Sequence, residues 1–341
     1  MKRKLVIIGS GPAGLVCAMS CVKNGVDPKD ILILEREREL GGTLNQCIHN
    51  GFMENLTGTE LASNLIKAVK YMGIECMTGA CVLSFTEDKV ITVISPRSGY
   101  IKIQAEIIIL ATGCREQSRG VLSIGGARPA GVLSAGAAQR YINLKGYMPG
   151  RKTVVVGSTE IAFIIARRIA IEGGTVLTVC EPKGAPLADK KYIKECIVPF
   201  SIPFKLSHNV TKIYGKERIE AVEICQVDKR GKAIKKTKQK IECDSLVYSC
   251  GCIPDVDIAI EAGVKLKKDT QGPTTKRNNE TTINGVFVVG NAHFIHKDIN
   301  KIIKDAMSTG VAISRYIKKQ EALKKEKENE DNAHNNSEDK E

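Results

Sequence analysis

The chain contains no tryptophan, and aromatic residues supply only 4% of its 341 positions. Its twelve cysteines include no C-x-x-C and no paired spacing suited to zinc, which excludes an adjacent redox dithiol and a zinc ribbon. No run approaches the ~20 apolar residues of a membrane span. The start, Met1-Lys2-Arg3-Lys4 followed by apolar residues, imitates an export signal, but Gly9, Gly11 and Pro12 interrupt its apolar stretch. The expected location is therefore the cytoplasm, with most cysteines as buried thiols.

Positive charge is plentiful. Lysine and arginine number 51 against 38 acids, a formal charge of +13. Seven basic residues crowd into the stretch Lys229 to Lys240, where Gly231 and flanking apolar strands point to a solvated hairpin. No aromatic residue interleaves with them to stack on bases, so nucleic acid is not an expected partner. An apolar content of 43% with 26% charged residues belongs to a globular protein, and the length allows about two domains.

The most informative stretch runs from Lys4 to Leu15. Leu5-Val6-Ile7-Ile8 has the composition of a buried parallel strand, and Gly9, Gly11 and Gly14 follow as G-x-G-x-x-G. In such a loop Gly9 makes the tight turn, Gly11 lets a pyrophosphate approach the backbone, and Gly14 lets the helix press on the sheet. Pro12 suits a first helical turn, and Ala13 is small beside it. The helix's free amides and dipole then face the phosphates. A second apolar strand, Ile31 to Leu34, ends in Glu35, placed to accept from an adenosine ribose.

Further on, apolar spacing predicts a helix over 59–72, short strands over 74–103, and a buried strand from Ile107 that ends at Ala111-Thr112-Gly113. Residues 119–150 read as a linker with one helix near Ala135 to Leu144. The opening pattern then repeats: Thr153-Val154-Val155-Val156-Gly157 leads into a helix, and Val176 to Cys180 ends in Glu181. Glycine and acid stand 26 residues apart in the first copy and 24 in the second, which implies an internal duplication. A last strand ends at Gly290-Asn291, followed by a helix from about Asp298 to Ile317. Beyond Lys318 almost nothing apolar remains, and residues 318–341 read as a disordered charged tail.

Gly9-x-Gly11-x-x-Gly14 with Glu35, Ala111-Thr112-Gly113 and Gly290-Asn291 together resemble the flavoproteins with two dinucleotide-binding domains, the pyridine nucleotide–disulfide oxidoreductase superfamily. The likeness covers about residues 1 to 317. It implies an α/β fold of two Rossmann-like domains, the second inserted in the first, without a C-terminal dimerisation domain. Residues 1–118 and 251–317 would form the FAD domain, and 151–250 an NAD(P)-binding-like domain. A narrower likeness lies in Gln46-Cys47-Ile48-His49-Asn50-Gly51-Phe52, Gly113-Cys114-Arg115-Glu116, Arg128-Pro129-Ala130-Gly131, the stretch from Ala135 to Arg140, and Ala166-Arg167-Arg168. Together these are similar to FAD-dependent oxidoreductases encoded with a glycerol-3-phosphate-dehydrogenase-like protein. They are more distantly similar to FAD/NAD subunits of sarcosine and opine oxidising complexes.

The resemblance implies FAD held by Gly9, Gly11, Pro12, Ala13, Gly14, Glu35, Arg36, Gly42, Gln46, Val82, Ala111, Thr112, Gly113, Gly290 and Asn291. Asn291 replaces the family's Asp and keeps a side-chain oxygen for a ribityl hydroxyl. The flavin ring is expected beside Gly42, Gln46 and Cys47. Where disulfide reductases carry two cysteines after the glycine pair, Gly41 to Cys47 supplies one, so no internal redox disulfide is expected. Cys47 is either a single redox thiol or a thiol packed under the flavin, and His49 and His296 are acid–base candidates. Gly157 and Glu181 mark an NAD(H) site, but Thr159 stands where the second glycine belongs. Its branched side chain is expected to block the pyrophosphate and to resist the turn's dihedrals. The expected partner is a dehydrogenase or an electron-acceptor protein. The competing class is a non-catalytic or electron-relay FAD subunit.

Overall fold

The computed structural model describes residues 1–338 other than Glu54, Ser123 and Lys297, with side chains to residue 326. The chain forms two compact units. The first comprises 1–45, 50–114 and 254–341; the second comprises 46–49 and 115–253 and is an insertion in the first. Sequence pattern alone sets these limits at 118 and 251.

In the first unit, β1 (Lys2–Ile8), α1 (Pro12–Lys23) and β2 (Ile31–Glu35) form a βαβ unit. α2 (Gly58–Tyr71) opens on a capping box between Thr57 and Glu60, after which β3 (Glu75–Thr78) pairs in parallel with β2. β4 (Cys81–Phe85), β5 (Val90–Ser95) and β6 (Gly99–Leu110) form an antiparallel meander, and β6 then runs parallel beside β1 with Ile7 opposite Ile109.

β1 and β2 show no polar alternation because both their faces are buried. Leu5, Ile7, Ile31 and Ile33 join a core with α1, while Val6, Ile8, Leu32 and Leu34 join the core beneath the meander.

The second unit repeats this beginning. β7 (Val132–Ser134) leads to α3 (Ala135–Lys145), and β8 (Lys152–Val156) enters α4 (Glu160–Ile171) and then β9 (Thr175–Glu181). α5 (Lys190–Cys196) and β10 (Phe204–Leu206) follow. β11 (His208–Tyr214), β12 (Ala221–Gln226) and β13 (Gln239–Glu242) form a second sheet, whose β12–β13 connection is the basic hairpin, before β14 (Ser245–Tyr248) pairs with β8. The hairpin's lysines are exposed, and Lys240 on β13 and Lys212 on β11 lie 5.1 and 4.9 Å from the Tyr214 ring centre.

The chain re-enters the first unit through α6 (Asp257–Glu261), adds β15 (Val286–Val288) beside β6, and ends in α7 (Ile299–Glu338). α7 passes through residues 318–338, where composition predicts a disordered tail; Lys, Glu and Ala are good helix formers, and Lys4 pairs with Glu321 at 2.5 Å. Residues 339–341 lie outside the described residues. No helix among the described residues is long and apolar enough to cross a membrane.

α7 packs on α1 along a seam of small residues. Ser20 Oγ donates to Met307 O at 2.7 Å, Ser314 Oγ donates to Cys21 O at 3.3 Å, and a Cβ on Gly310 would lie 2.5 Å from that of Ser20. Replacing Gly310 with valine should therefore destabilise the protein by ~1–3 kcal/mol, with a smaller loss for alanine. Thermal unfolding of the two variants checks this; a valine variant that melts with the native protein would show that the seam yields freely.

Candidate dinucleotide sites

Each unit builds its site from one strand–turn–helix and one buried acid. In the first, Gly9 takes φ +107°, and a Cβ there would collide with Ala111 O. Gly14 is equally constrained, since a Cβ there would meet Gly9 O and Ala111 Cβ. Gly11 differs. It is the N-cap of α1, with φ −66° and ψ 177°, and a Cβ placed on it would find no atom within 4 Å. No side chain caps α1 among the described residues, so its first-turn amides face that open space.

Glu35 is 6% exposed, and its carboxylate ties the loop together. Oε2 accepts from Ser10 N at 2.9 Å and Ser10 Oγ at 2.6 Å, while Oε1 accepts from Glu37 N at 2.8 Å. Gly41 N donates to Ser10 O at 3.0 Å, and a Cβ on Gly42 would lie 2.9 Å from Gly11 Cα. Ala111-Thr112-Gly113 closes the same end of the sheet. Thr112 Oγ1 donates to Asp255 O at 2.5 Å, and Asp255 N donates to Gly113 O at 3.0 Å. Arg36 is mostly exposed and lies 3.9 Å from the Asp255 carboxylate. Val82 is half-buried on β4, two residues past Ala80, whose amide donates to Glu35 O. Gly290 reaches the first turn of α1, where a Cβ on it would lie 2.6 Å from Ala13 Cβ. Asn291 Oδ1 accepts from His296 N at 2.9 Å, and its Nδ2 is 3.7 Å from Cys114 Sγ. Burial, opposed by Asp305, moves His296 below the ordinary histidine value.

The second unit follows the same wiring. Ser158 Oγ donates to Glu181 Oε2 at 2.5 Å, Lys183 N donates to Glu181 Oε1 at 2.8 Å, and Ala188 N donates to Ser158 O at 2.9 Å. Ser249 stands where Ala111 stands in the first unit, beside the glycine of the tight turn, Gly157. The difference is Thr159. It caps α4 at φ −69° and ψ 166°, accepting from Ala162 N at 3.4 Å, and its hydroxyl bonds Ser249 Oγ at 2.5 Å. The expected dihedral strain is thus absent: the position is extended in both copies, where a branched residue is at ease. What Thr159 changes is occupancy of the helix end, not its shape.

Gln46, Cys47 and His49 belong to the second unit, whereas Gly42 belongs to the first. Asn143 Nδ2 on α3 donates to Gln46 O at 2.8 Å, and Gln139 Nε2 is 4.0 Å from Cys47 Sγ. Burial pushes the Cys47 thiol up to about 11, opposite to the shift that makes a reactive thiolate. Burial and then Arg167 lower His49 to about 4, leaving it neutral near pH 7. Sequence reasoning misses Ser10, Ser158 and Ser249; the paired dipeptides Gly9-Ser10 and Gly157-Ser158 carry a signal for the first two.

A family model described as "Pyridine nucleotide-disulphide oxidoreductase" matches residues 3–314. An opine oxidase subunit of Agrobacterium tumefaciens (strain Ach5) is 23% identical over 309 residues, covering 84% of this chain. The chain spans only 60% of that protein's length. Ferredoxin–NADP reductase of Ignicoccus hospitalis is 24% identical over 325 residues, covering 93% of this chain and 98% of that one. Among solved structures, T. acidophilum thioredoxin reductase superposes with a TM-score of 0.74 at 19% identity, over 92% of this chain and 98% of its own.

His49 gives the second unit a pH signature. Its pKa falls from an ordinary 6.5 to about 4 on folding, so its contribution is complete above pH 6.5 and is lost as pH falls towards 4. Allowing for partial exposure, His49→Gln should remove ~1–2 kcal/mol of acid sensitivity in that window. Chemical denaturation at a series of pH values checks it; parallel profiles for the two proteins would exclude a buried neutral His49.

Proposed function

The chain belongs to the pyridine nucleotide–disulphide oxidoreductase family, and from that premise we propose that it is an FAD-dependent oxidoreductase. It exchanges a hydride between a nicotinamide and the flavin and passes electrons to a partner protein or small acceptor, without an internal redox disulfide. The observation that carries FAD binding is the uncapped end of α1 over the open face of Gly11. That end offers free amides and a positive dipole to a pyrophosphate, and Glu35 keeps a lone pair on Oε1 to accept from a ribose. FAD supplies the two-electron chemistry; the protein holds and orients it. Burial pushes the Cys47 thiol up to about 11, away from a reactive thiolate, which supports a path without dithiol exchange.

A second reading, an electron-relay protein with a degenerate NAD site, is favoured by Thr159. Its hydroxyl occupies the end of α4 that a dinucleotide's pyrophosphate would use, and Ser249 holds it there. The relative named as part of opine oxidase fits the same reading and suggests a multi-subunit partner. Glu181 remains in place and favours the free ribose hydroxyls of NADH over the phosphate of NADPH.

Purified protein should carry FAD, and Gly11→Val should lose it while the apoprotein stays folded, since the new side chain meets only open space. Flavin content and far-ultraviolet circular dichroism together check this. A folded valine variant with full FAD would refute the assignment.

Anaerobic titration of flavin bleaching separates the two readings. NADH should act weakly on the native protein and ~5–30-fold more tightly on Thr159→Gly, a gain of about 1–2 kcal/mol. A site that stays silent in the glycine variant establishes the relay reading instead.

A further inference from the structure

The turn at Gly290-Asn291 carries no charge of its own, yet a carboxylate holds it from below. Gly290 N donates to Asp305 Oδ2 at 3.0 Å, from the second turn of α7. The other oxygen, Asp305 Oδ1, accepts from Asn279 Nδ2 at 2.8 Å, and the same amide reaches Thr309 Oγ1 at 2.8 Å. Asn279 adopts φ +63°, a conformation uncommon outside glycine, and its carbonyl accepts from Val288 N at 3.1 Å. Asp305 and Thr309, one helical turn apart, therefore hold β15 both at its exit, Gly290, and at the segment beside it, Asn279. The clamp leaves Gly290 little freedom, because a Cβ there would strike Ala13 in the first turn of α1.

The same carboxylate is the negative charge felt by the two histidines of the loop. His293 is buried, with Nε2 3.1 Å from Thr275 Oγ1, and His296 packs against Phe294 with ring centres 4.1 Å apart. Asp305 works on both against the burial that would otherwise lower them further; Lys267 and His296 act with burial on His293, and Lys301 acts with burial on His296.

We propose that Asp305 is a positioning residue for FAD at the β15 turn: by holding Gly290 N and the Asn279 amide from α7 it fixes the turn against the first turn of α1. This rests on the FAD reading above. It predicts a residue that acts through the turn rather than by touching the reacting atoms.

The test combines FAD affinity with histidine titration. Apoprotein is reconstituted with FAD, and the His293 and His296 ring protons are followed by NMR against pH in the apo form. Asp305→Ala, which leaves Gly290 N without its acceptor, should weaken FAD about tenfold or more. Asp305→Asn keeps one acceptor oxygen and removes the charge; it should weaken FAD by about threefold and move both histidine titrations to lower pH. An aspartate that only stabilises α7 would leave FAD affinity native in the asparagine variant, whatever the histidines do; the histidine shift reports loss of the charge and the FAD affinity reports loss of positioning. Should the alanine variant fail to fold, the asparagine variant decides on FAD affinity. Native FAD affinity in whichever variant folds overturns the proposal. Native apoprotein that takes up no FAD overturns the FAD reading itself, a separate and recognisable failure.

Discussion

The hydrogen-bonded pair of Ser10 and Glu35 is the interaction on which the first site depends. A carboxylate 6% exposed must find donors or give up its charge, and the loop after β1 supplies them from the backbone and side chain of one serine. Satisfying that charge also fixes where the loop runs. With Ser10 anchored to the end of β2, the residues either side are forced into the tight turn at Gly9 and the open approach at Gly11. The acid is thus a structural anchor first, and its remaining lone pair is what it can offer a ligand.

Ser158 and Glu181 reproduce that arrangement through the same serine hydroxyl and a backbone amide two residues past the acid, which makes the duplication visible in hydrogen bonds as well as in sequence spacing. Two copies with the same anchor then differ at one helix end. α1 opens its amides to whatever binds, whereas α4 satisfies one with its own Thr159. A helix N-terminus is an anion site only while its donors are free. One hydroxyl occupies an amide that α1 leaves without a side-chain cap, with no change in backbone geometry.

Much of the fold is legible in the sequence. The strands Leu5 to Ile8 and Ile31 to Leu34 are apolar on both faces because both are covered, and the glycine spacing marks the turn between strand and helix. The helix at Gly58–Tyr71 follows from apolar periodicity. The placement of Gln46, Cys47 and His49 does not, because their neighbours Gln139 and Asn143 lie more than 90 residues away and local pattern says nothing about them. At Thr159, residue type suggests strain that the backbone does not have: only coordinates reveal that the turn's φ is negative in both copies. The serines escape notice because a short polar residue in a glycine turn is unremarkable until its partner is seen.

The seam of α1 against α7 has a consequence for how the protein is made. Ser20 and Met307 meet across 287 residues of chain, and β15 completes its sheet only after the whole second unit has been passed. The first unit emerges from the ribosome first, but its core stays unfinished, with the apolar faces of α1 and β6 awaiting their last partners. The second unit lies almost entirely in one contiguous span, 115–253, and has its own cores available as soon as that span appears. The core of the first unit therefore cannot be completed until residues after the second unit have been made, whereas the second unit needs nothing beyond residue 253.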